Sequence, residues 1–219
     1  MCCELCNLLH HNEISFKNNF ISTDNVIYES KNFVIVPDKL PVSQMHSLII
    51  SKRCVCGMAN LNKQELCELE ELVQMHDAIV EKNMKKKPSH FEHGSVSKNG
   101  NGGNSIYHFH YHNILLEIPL ENEISQKIST YYEKINSYTE IEGKKNDYLL
   151  YENENDKKFI YNLKTNIVSQ FLRKMVYEHT RKQSELSDYD WKNHENQHLF
   201  MENKQRLENM FRSNYCNII

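Results

Sequence analysis

The sequence predicts an α+β protein in which helices pack against one antiparallel sheet. Two observations lead there. Short runs rich in Val, Ile, Leu, Phe and Tyr have strand length and end in turn residues. Between them lie stretches whose apolar residues recur at three- and four-residue steps, and the short connections favour antiparallel neighbours.

Val26 to Val36 (VIYESKNFVIV) reads as two short strands about a Ser-Lys-Asn turn, and Ser47 to Ser51 (SLIIS) as a third. Pro37 to Pro41 must be a loop, because two prolines cannot both serve a central strand. Asn60 to Lys85 is the clearest helix, with Leu66, Leu69, Leu72, Val73, His76, Ile79 and Val80 on one stripe. His76 reads there as a core or edge histidine. Lys85, Lys86, Lys87 and Pro88 end that helix as a solvated basic terminus.

Ser89 to Val96 and Ile106 to Ile118 read as strands joined by a glycine-rich loop. Glu121 to Tyr138 reads as a second helix, with Ile124, Ile128, Tyr131, Tyr132 and Ile135 as its stripe. Tyr148 to Tyr151 and Phe159 to Tyr161 form a hairpin around Asn153 to Asp156. The end is helical over Ile167 to His179 and Asn196 to Arg212, and no internal repeat is present.

The chemistry concentrates between Gly94 and Leu116. His108, His110 and His112 alternate with Phe109 and Tyr111. On a strand, that spacing sets three imidazoles in one row, about 6.6 Å apart, and turns the aromatics to the core. Upstream, Ser97 to Ser105 (SKNGNGGNS) bends easily and offers backbone amides to an anion. By spacing alone the stretch is a site for phosphate chemistry or for a metal. A neutral imidazole is a competent nucleophile near pH 7, and its neighbours can bind the oxygens around a phosphorus.

A formal charge of −3 leaves no electrostatic footprint for long nucleic acid. No apolar run approaches the roughly 18 residues needed to span a bilayer. The first six residues, MCCELC, lack the pattern of a signal peptide, so the expected location is cytoplasmic. Seven cysteines there are thiols or metal ligands rather than a disulfide framework. Cys3 and Cys6 form a Cys-x-x-Cys pair that suits half of a zinc site better than a redox couple, which would open a helix after a strand. Asp38 reads by spacing as a turn-capping residue.

His108 to His112, preceded by Gly102 to Tyr107 (GGNSIY), resembles the signature of the histidine triad (HIT) nucleotide hydrolases and transferases. Phe33 to Lys52 resembles that family's first sheet, with His46 at its usual histidine. Phe91-Glu92-His93-Gly94, Tyr148 to Tyr151, Ser169 to Arg173 and Asp190 to Lys192 resemble longer members with a C-terminal extension. Two departures stand out: Met45 occupies a frequent glycine position, and Asn113 is polar where an apolar residue is expected.

The resemblance implies a HIT-like nucleotide-binding core over residues 1–119 and a mainly helical extension, with a hairpin, over 120–219. It implies cleavage of a phosphoanhydride, phosphoramidate or phosphoester at an α-phosphate through a nucleotidyl-histidine intermediate, with dinucleoside polyphosphates and nucleoside phosphoramidates as substrate classes. His110 matches the nucleophile, His112 the residue on a non-bridging oxygen, His108 the support of the row and Ser105 a serine near the leaving group. His46, Ser97, Gly103 and Asn104 fall on the nucleotide-binding part, and Asp38 falls where family members hold the ribose, which reverses its reading as a simple cap. Structural zinc is implied on Cys3, Cys6, Cys54 and His108, with Cys56 as a stand-in, and no organic cofactor is expected. A homodimer through the helix and sheet edge is implied, a surface the extension can mask or enlarge. The rival reading is a catalytically weak nucleotide-binding module with a structural zinc.

Overall fold

The computed structural model describes residues 5, 23–97, 100, 102–103, 106–180, 188–194 and 196–215. Eight strands, β1 (Tyr28–Glu29), β2 (Phe33–Pro37), β3 (Ser47–Ser51), β4 (Ser89–Gly94), β5 (His110–Ile114), β6 (Tyr132–Ile135), β7 (Tyr148–Glu152) and β8 (Lys158–Asn162), form one antiparallel sheet. Their order is β1-β2-β3-β5-β4-β7-β8-β6. Among the described residues four helices accompany it: α1 (Lys63–Met84), α2 (Glu121–Ile128), α3 (Phe171–Thr180) and α4 (Gln197–Tyr215). The α+β expectation holds, and strand β5 lies in mid-sheet.

Helix α1 starts at Lys63 rather than at Asn60 because Asn62 caps it, accepting from the Glu65 amide while the Glu65 side chain returns to Asn62 N. It ends at Lys85, whose φ of 56° is left-handed. The predicted stripe is buried on one sheet face with Ile49, Phe109, Tyr111 and Leu150. The basic end is not purely solvated, since Lys86 pairs with Glu117 and Lys87 with Asp156.

The opposite face carries a second core of Phe91, Leu149, Tyr151 and Phe159, closed by Ile124 of α2 and Leu172, Met175 and Val176 of α3. Beside it, Leu5 covers Val34, Val36, Leu48 and Ile50. Helices on both faces therefore leave the β5 histidines between two apolar blocks.

Four expectations need correction. The second helix stops at Ile128, where Ser129 takes a φ of 50°, and Tyr132 to Ile135 instead pair with Tyr161 to Lys158. Tyr131, expected on a buried stripe, is exposed. The strand expected from Ile106 begins only at His110, and α3 starts at Phe171 rather than Ile167, behind Gln170 at a φ of 62°.

Residues after 119 supply three of the eight strands, and β7 pairs along the outer edge of β4 from His90–Glu152 to Gly94–Tyr148. Among the described residues no helix is long and apolar enough to cross a membrane.

Candidate active site

The strand register fixes which side chains share a face. Leu48 lies opposite His112 and Ile50 opposite His110 across β3, and Phe91 lies opposite His112 across β4. The Phe91 ring stacks on His112 with centroids 4.2 Å apart, and the His110 and His112 rings stand 5.1 Å apart, edge to face. Phe109 and Tyr111 point into the other core as expected.

The row is two imidazoles on the strand, not three. His108 precedes β5 and is fully buried, with Nε2 2.7 Å from the Ser51 carbonyl. Its contribution to the row is its own carbonyl, 2.6 Å from His110 Nδ1.

Hydrogen-bond chemistry assigns the tautomers. A carbonyl only accepts, so His110 Nδ1 carries the proton and Nε2 keeps its lone pair. The Val42 amide donates to His46 Nδ1 at 3.2 Å, which puts the His46 proton on Nε2. That Nε2–H donates to His112 Nδ1 at 2.9 Å, so the remaining proton of a neutral His112 is on Nε2. A lone pair on His110 and an N–H on His112 thus stand side by side on one face.

Burial keeps the rings neutral. It depresses His110 below its ordinary value, with the Arg173 charge adding to the effect against the His108 carbonyl and Asp38. His112 is driven well below the usual range by burial and by the surrounding imidazoles and Arg173. His46 falls to about 4, again through burial, although Asp38 pulls the other way.

Asp38, at the end of β2, does cap a turn, accepting from Leu40 N at 2.9 Å. Its Oδ2 accepts from Arg173 Nη1 at 2.7 Å and stands 3.6 Å from His46 Nε2. Burial opposes its charge, but Arg173 and His46 outweigh that and hold the carboxyl below its usual range. Sequence reasoning gave Arg173 no role. Its signal was a single arginine beside Leu172, Met175 and Val176 on an apolar stripe, where it also bonds the carbonyls of Leu40 and Tyr189. Asn203 of α4, donating to the His46 carbonyl at 2.7 Å, was also missed.

The two departures have structural roles. Met45 holds a φ of 58°, the conformation a glycine would take there freely. Asn113 faces the other core in a closed ring of side chains: Asp77 bonds His76 and His90, His76 bonds Ser47, and Asn113 joins Ser47 to His90. His76 is thus a satisfied core histidine.

The loop before the row is held by the later part of the chain. Asp147 accepts from Val96 N at 2.8 Å, and Gly103, at a φ of 68°, takes a hydrogen bond from Gln170 N. A Cβ on Gly103 would fall 2.7 Å from the Val168 carbonyl oxygen. Ser97 is exposed at the loop's start. Asn104 and Ser105 lie outside the described residues.

Cys3 and Cys6 of the expected zinc site also lie outside the described residues. Cys54 is an exposed thiol and His108 is bonded to Ser51. Among the described residues the cluster with metal-ligand geometry is another one. Asp38, His46 and His112 each offer an atom within 4.8 Å of the others and could hold a metal ion. Yet Arg173 already occupies Asp38 Oδ2, and the His46–His112 hydrogen bond already uses the two ring nitrogens, so these residues are mutually satisfied without one.

Paired imidazoles on a mid-sheet strand, set behind a glycine loop and keyed to a third histidine before the neighbouring strand, place the molecule among the histidine triad proteins. The family model for the scavenger mRNA decapping enzyme C-terminal binding region matches residues 12–129, more than half of the chain, and the chain belongs to that family of the HIT superfamily.

Among solved structures, the chain is similar to a hypothetical histidine triad nucleotide-binding protein of Sulfolobus tokodaii, 25% identical over 42% of this chain and 59% of that one, with a TM-score of 0.36. A zinc-bound histidine triad family protein of Mycobacterium smegmatis is 16% identical over 52% and 75% of the two chains, with a TM-score of 0.40. A HIT family hydrolase of Clostridium thermocellum is 17% identical over 53% and 93%, with a TM-score of 0.38. No curated protein sequence matches the chain.

Proposed function

We propose that the protein is a nucleotide hydrolase or nucleotidyl transferase acting by double displacement at an α-phosphate, with His110 as nucleophile. One observation carries the reading: His110 Nδ1 is tied to the His108 carbonyl at 2.6 Å, which leaves the Nε2 lone pair free beside the N–H of His112. In the first half-reaction Nε2 bonds to phosphorus, and the bond to the leaving group breaks, the electron pair departing with the leaving group. That group takes its proton from solvent or from Ser105, the serine expected near it. The His112 N–H donates to a non-bridging oxygen and stabilises the charge that develops there. In the second half-reaction water or another acceptor attacks the phosphorus, the P–N bond returns its pair to His110, and the acceptor's proton passes to solvent.

Nucleotides are the ligand class this chemistry takes, with dinucleoside polyphosphates and nucleoside phosphoramidates as the first to test. Asp38 serves the histidines through Arg173 and His46, and a ribose hydroxyl would have to share it. Residues 120–219 act as an extension packed on the nucleotide-binding core. β7 covers the outer edge of β4, so a homodimer would use another surface.

Intact-mass analysis of protein quenched without acid tests the mechanism. The wild type is expected to gain one nucleotidyl group during turnover and His110→Ala to gain none, with its fold intact. Wild-type turnover by His110→Ala on every active substrate would end the covalent reading. Tight nucleotide binding with neither adduct nor product would favour the rival binding module.

A further inference from the structure

A fourth imidazole stands on the same face, and the chemistry described so far does not use it. His93 lies on β4 two residues beyond Phe91, which is opposite His112, so the antiparallel register carries His93 toward His110. Its ring meets Phe91 edge-on with centroids 5.9 Å apart, next to the stacked pair of Phe91 and His112.

The start of α3 fixes its tautomer. The Leu172 amide, in the first turn of that helix, donates to His93 Nε2 at 3.2 Å. A nitrogen that accepts carries no proton, so the proton of a neutral His93 is on Nδ1. Among the described residues no acceptor is assigned to that N–H, although the side chain is only 6% exposed. Burial, with the Arg173 charge and the neighbouring His110 ring acting in the same direction, pushes its pKa down to about 3. At neutral pH it is a donor that cannot carry a charge to compete with the nucleophile.

We propose that His93 is a catalytic residue of the His110 site, its Nδ1–H binding one non-bridging oxygen of the reacting phosphoryl group while the His112 Nε2–H binds the other. This rests on the nucleotidyl-transfer reading above. A phosphoryl group attacked by an imidazole presents two non-bridging oxygens, and negative charge grows on both as the bond forms. Preorganised donors in a dry site act most strongly there, and removing one typically costs about 10²–10³ in rate. The α3 helix thereby enters the chemistry, since its first-turn amide decides which His93 nitrogen holds the proton.

Two substitutions separate the roles of the two ring nitrogens. His93→Gln places an amide oxygen where Nε2 accepts from Leu172 and leaves nothing at the Nδ1 position. His93→Asn places an N–H at the Nδ1 position and abandons Leu172. The readouts are the rate of adduct formation on His110, KM and the melting temperature. His93→Gln is expected to melt near the wild type but form adduct about 10²-fold more slowly, with KM little changed. His93→Asn is expected to melt lower yet stay within about tenfold of the wild-type rate.

Wild-type speed in His93→Gln, or the reverse ordering of the two variants, would overturn the proposal while leaving the His110 mechanism standing. No adduct on the wild type would end that mechanism, and this proposal with it. If His93→Asn fails to fold, an α-phosphorothioate substrate decides the matter. The wild type should prefer one diastereomer and His93→Gln should lose that preference, whereas an unchanged preference overturns the assignment.

Discussion

His46 Nε2 donates to His112 Nδ1 across 2.9 Å, joining two residues 66 positions apart in the chain. That hydrogen bond settles where the His112 proton sits, and it is in turn settled by the Val42 amide on the far side of His46. A backbone N–H thereby dictates, through two rings, the donor that faces the substrate.

Cutting this relay should weaken both fold and chemistry. His46→Leu leaves the Val42 amide and His112 Nδ1 unpaired in a buried place, at a cost of about 1–3 kcal/mol of stability. The adduct rate should fall about tenfold or more, because His112 is then free to place its proton on either nitrogen. Denaturant unfolding and single-turnover kinetics measure the two effects, and an unaltered rate would show that the tautomer of His112 is fixed by something else.

The acid limb of activity should lie below pH 6.5. His110 is depressed from its ordinary value by burial and by Arg173, and it must be neutral to attack. As pH falls through the lowered pKa the ring gains a proton and loses its lone pair, so kcat/KM drops there and levels off above it until another group intervenes. A limb centred at or above 6.5 contradicts the assignment.

Arg173 and Asp38 form a buried ion pair, 2.7 Å from nitrogen to oxygen. Arg173→Met strands a charged carboxylate and should cost about 3–5 kcal/mol in denaturant unfolding. Combining it with Asp38→Leu removes the stranded charge and should recover much of that loss. Strict additivity of the two single effects would mean that the residues do not depend on one another.

On the opposite face His90 is held charged. Burial opposes the charge, but the Asp77 carboxylate, 3.0 Å from Nε2, and Glu152 lift its pKa to about 9. Its folded pKa exceeds the unfolded value of about 6.5, so its contribution is complete below pH 6.5 and is lost as pH rises through 9. The stability difference between wild type and His90→Gln should therefore shrink across that window, by on the order of 3 kcal/mol. A difference that does not change from pH 6 to 9.5 would show His90 to be neutral.

Chelation gives a last test. Because Asp38, His46 and His112 are satisfied by Arg173 and by one another, prolonged treatment with a chelator should leave adduct formation by folded protein unchanged within about twofold. Activity of folded protein that disappears on chelation and returns with zinc would show that a metal is required.

Much of this was legible along the chain. The strands Phe33–Pro37, Ser47–Ser51, Tyr148–Glu152 and Lys158–Asn162 announce themselves by β-branched and aromatic runs between turn residues. That His110 and His112 share one sheet face was legible from alternation. What failed did so for nameable reasons. Ile128, Tyr131, Tyr132 and Ile135 have helical spacing by coincidence, and pairing with β8 overrides it. The alternation of His108 with His110 continues past the point where the backbone leaves the strand, so composition alone puts a third ring in the row. Arg173 lies 135 residues from Asp38, and only the packed fold brings a lone arginine in an apolar stripe to its partner.

Gly94 touches the Tyr148 ring so closely that an added Cβ would sit 2.2 Å from Cζ, and one residue earlier in the chain Asp147 pins Val96. The glycine-rich loop is therefore wedged at its root by β7. A gene trimmed after Pro119 would keep His108, His110 and His112 and is still expected to encode an inactive product, because the open β4 edge would have lost the strand that shapes the loop. The smallest folded unit that keeps the site cannot be found by cutting around the motif.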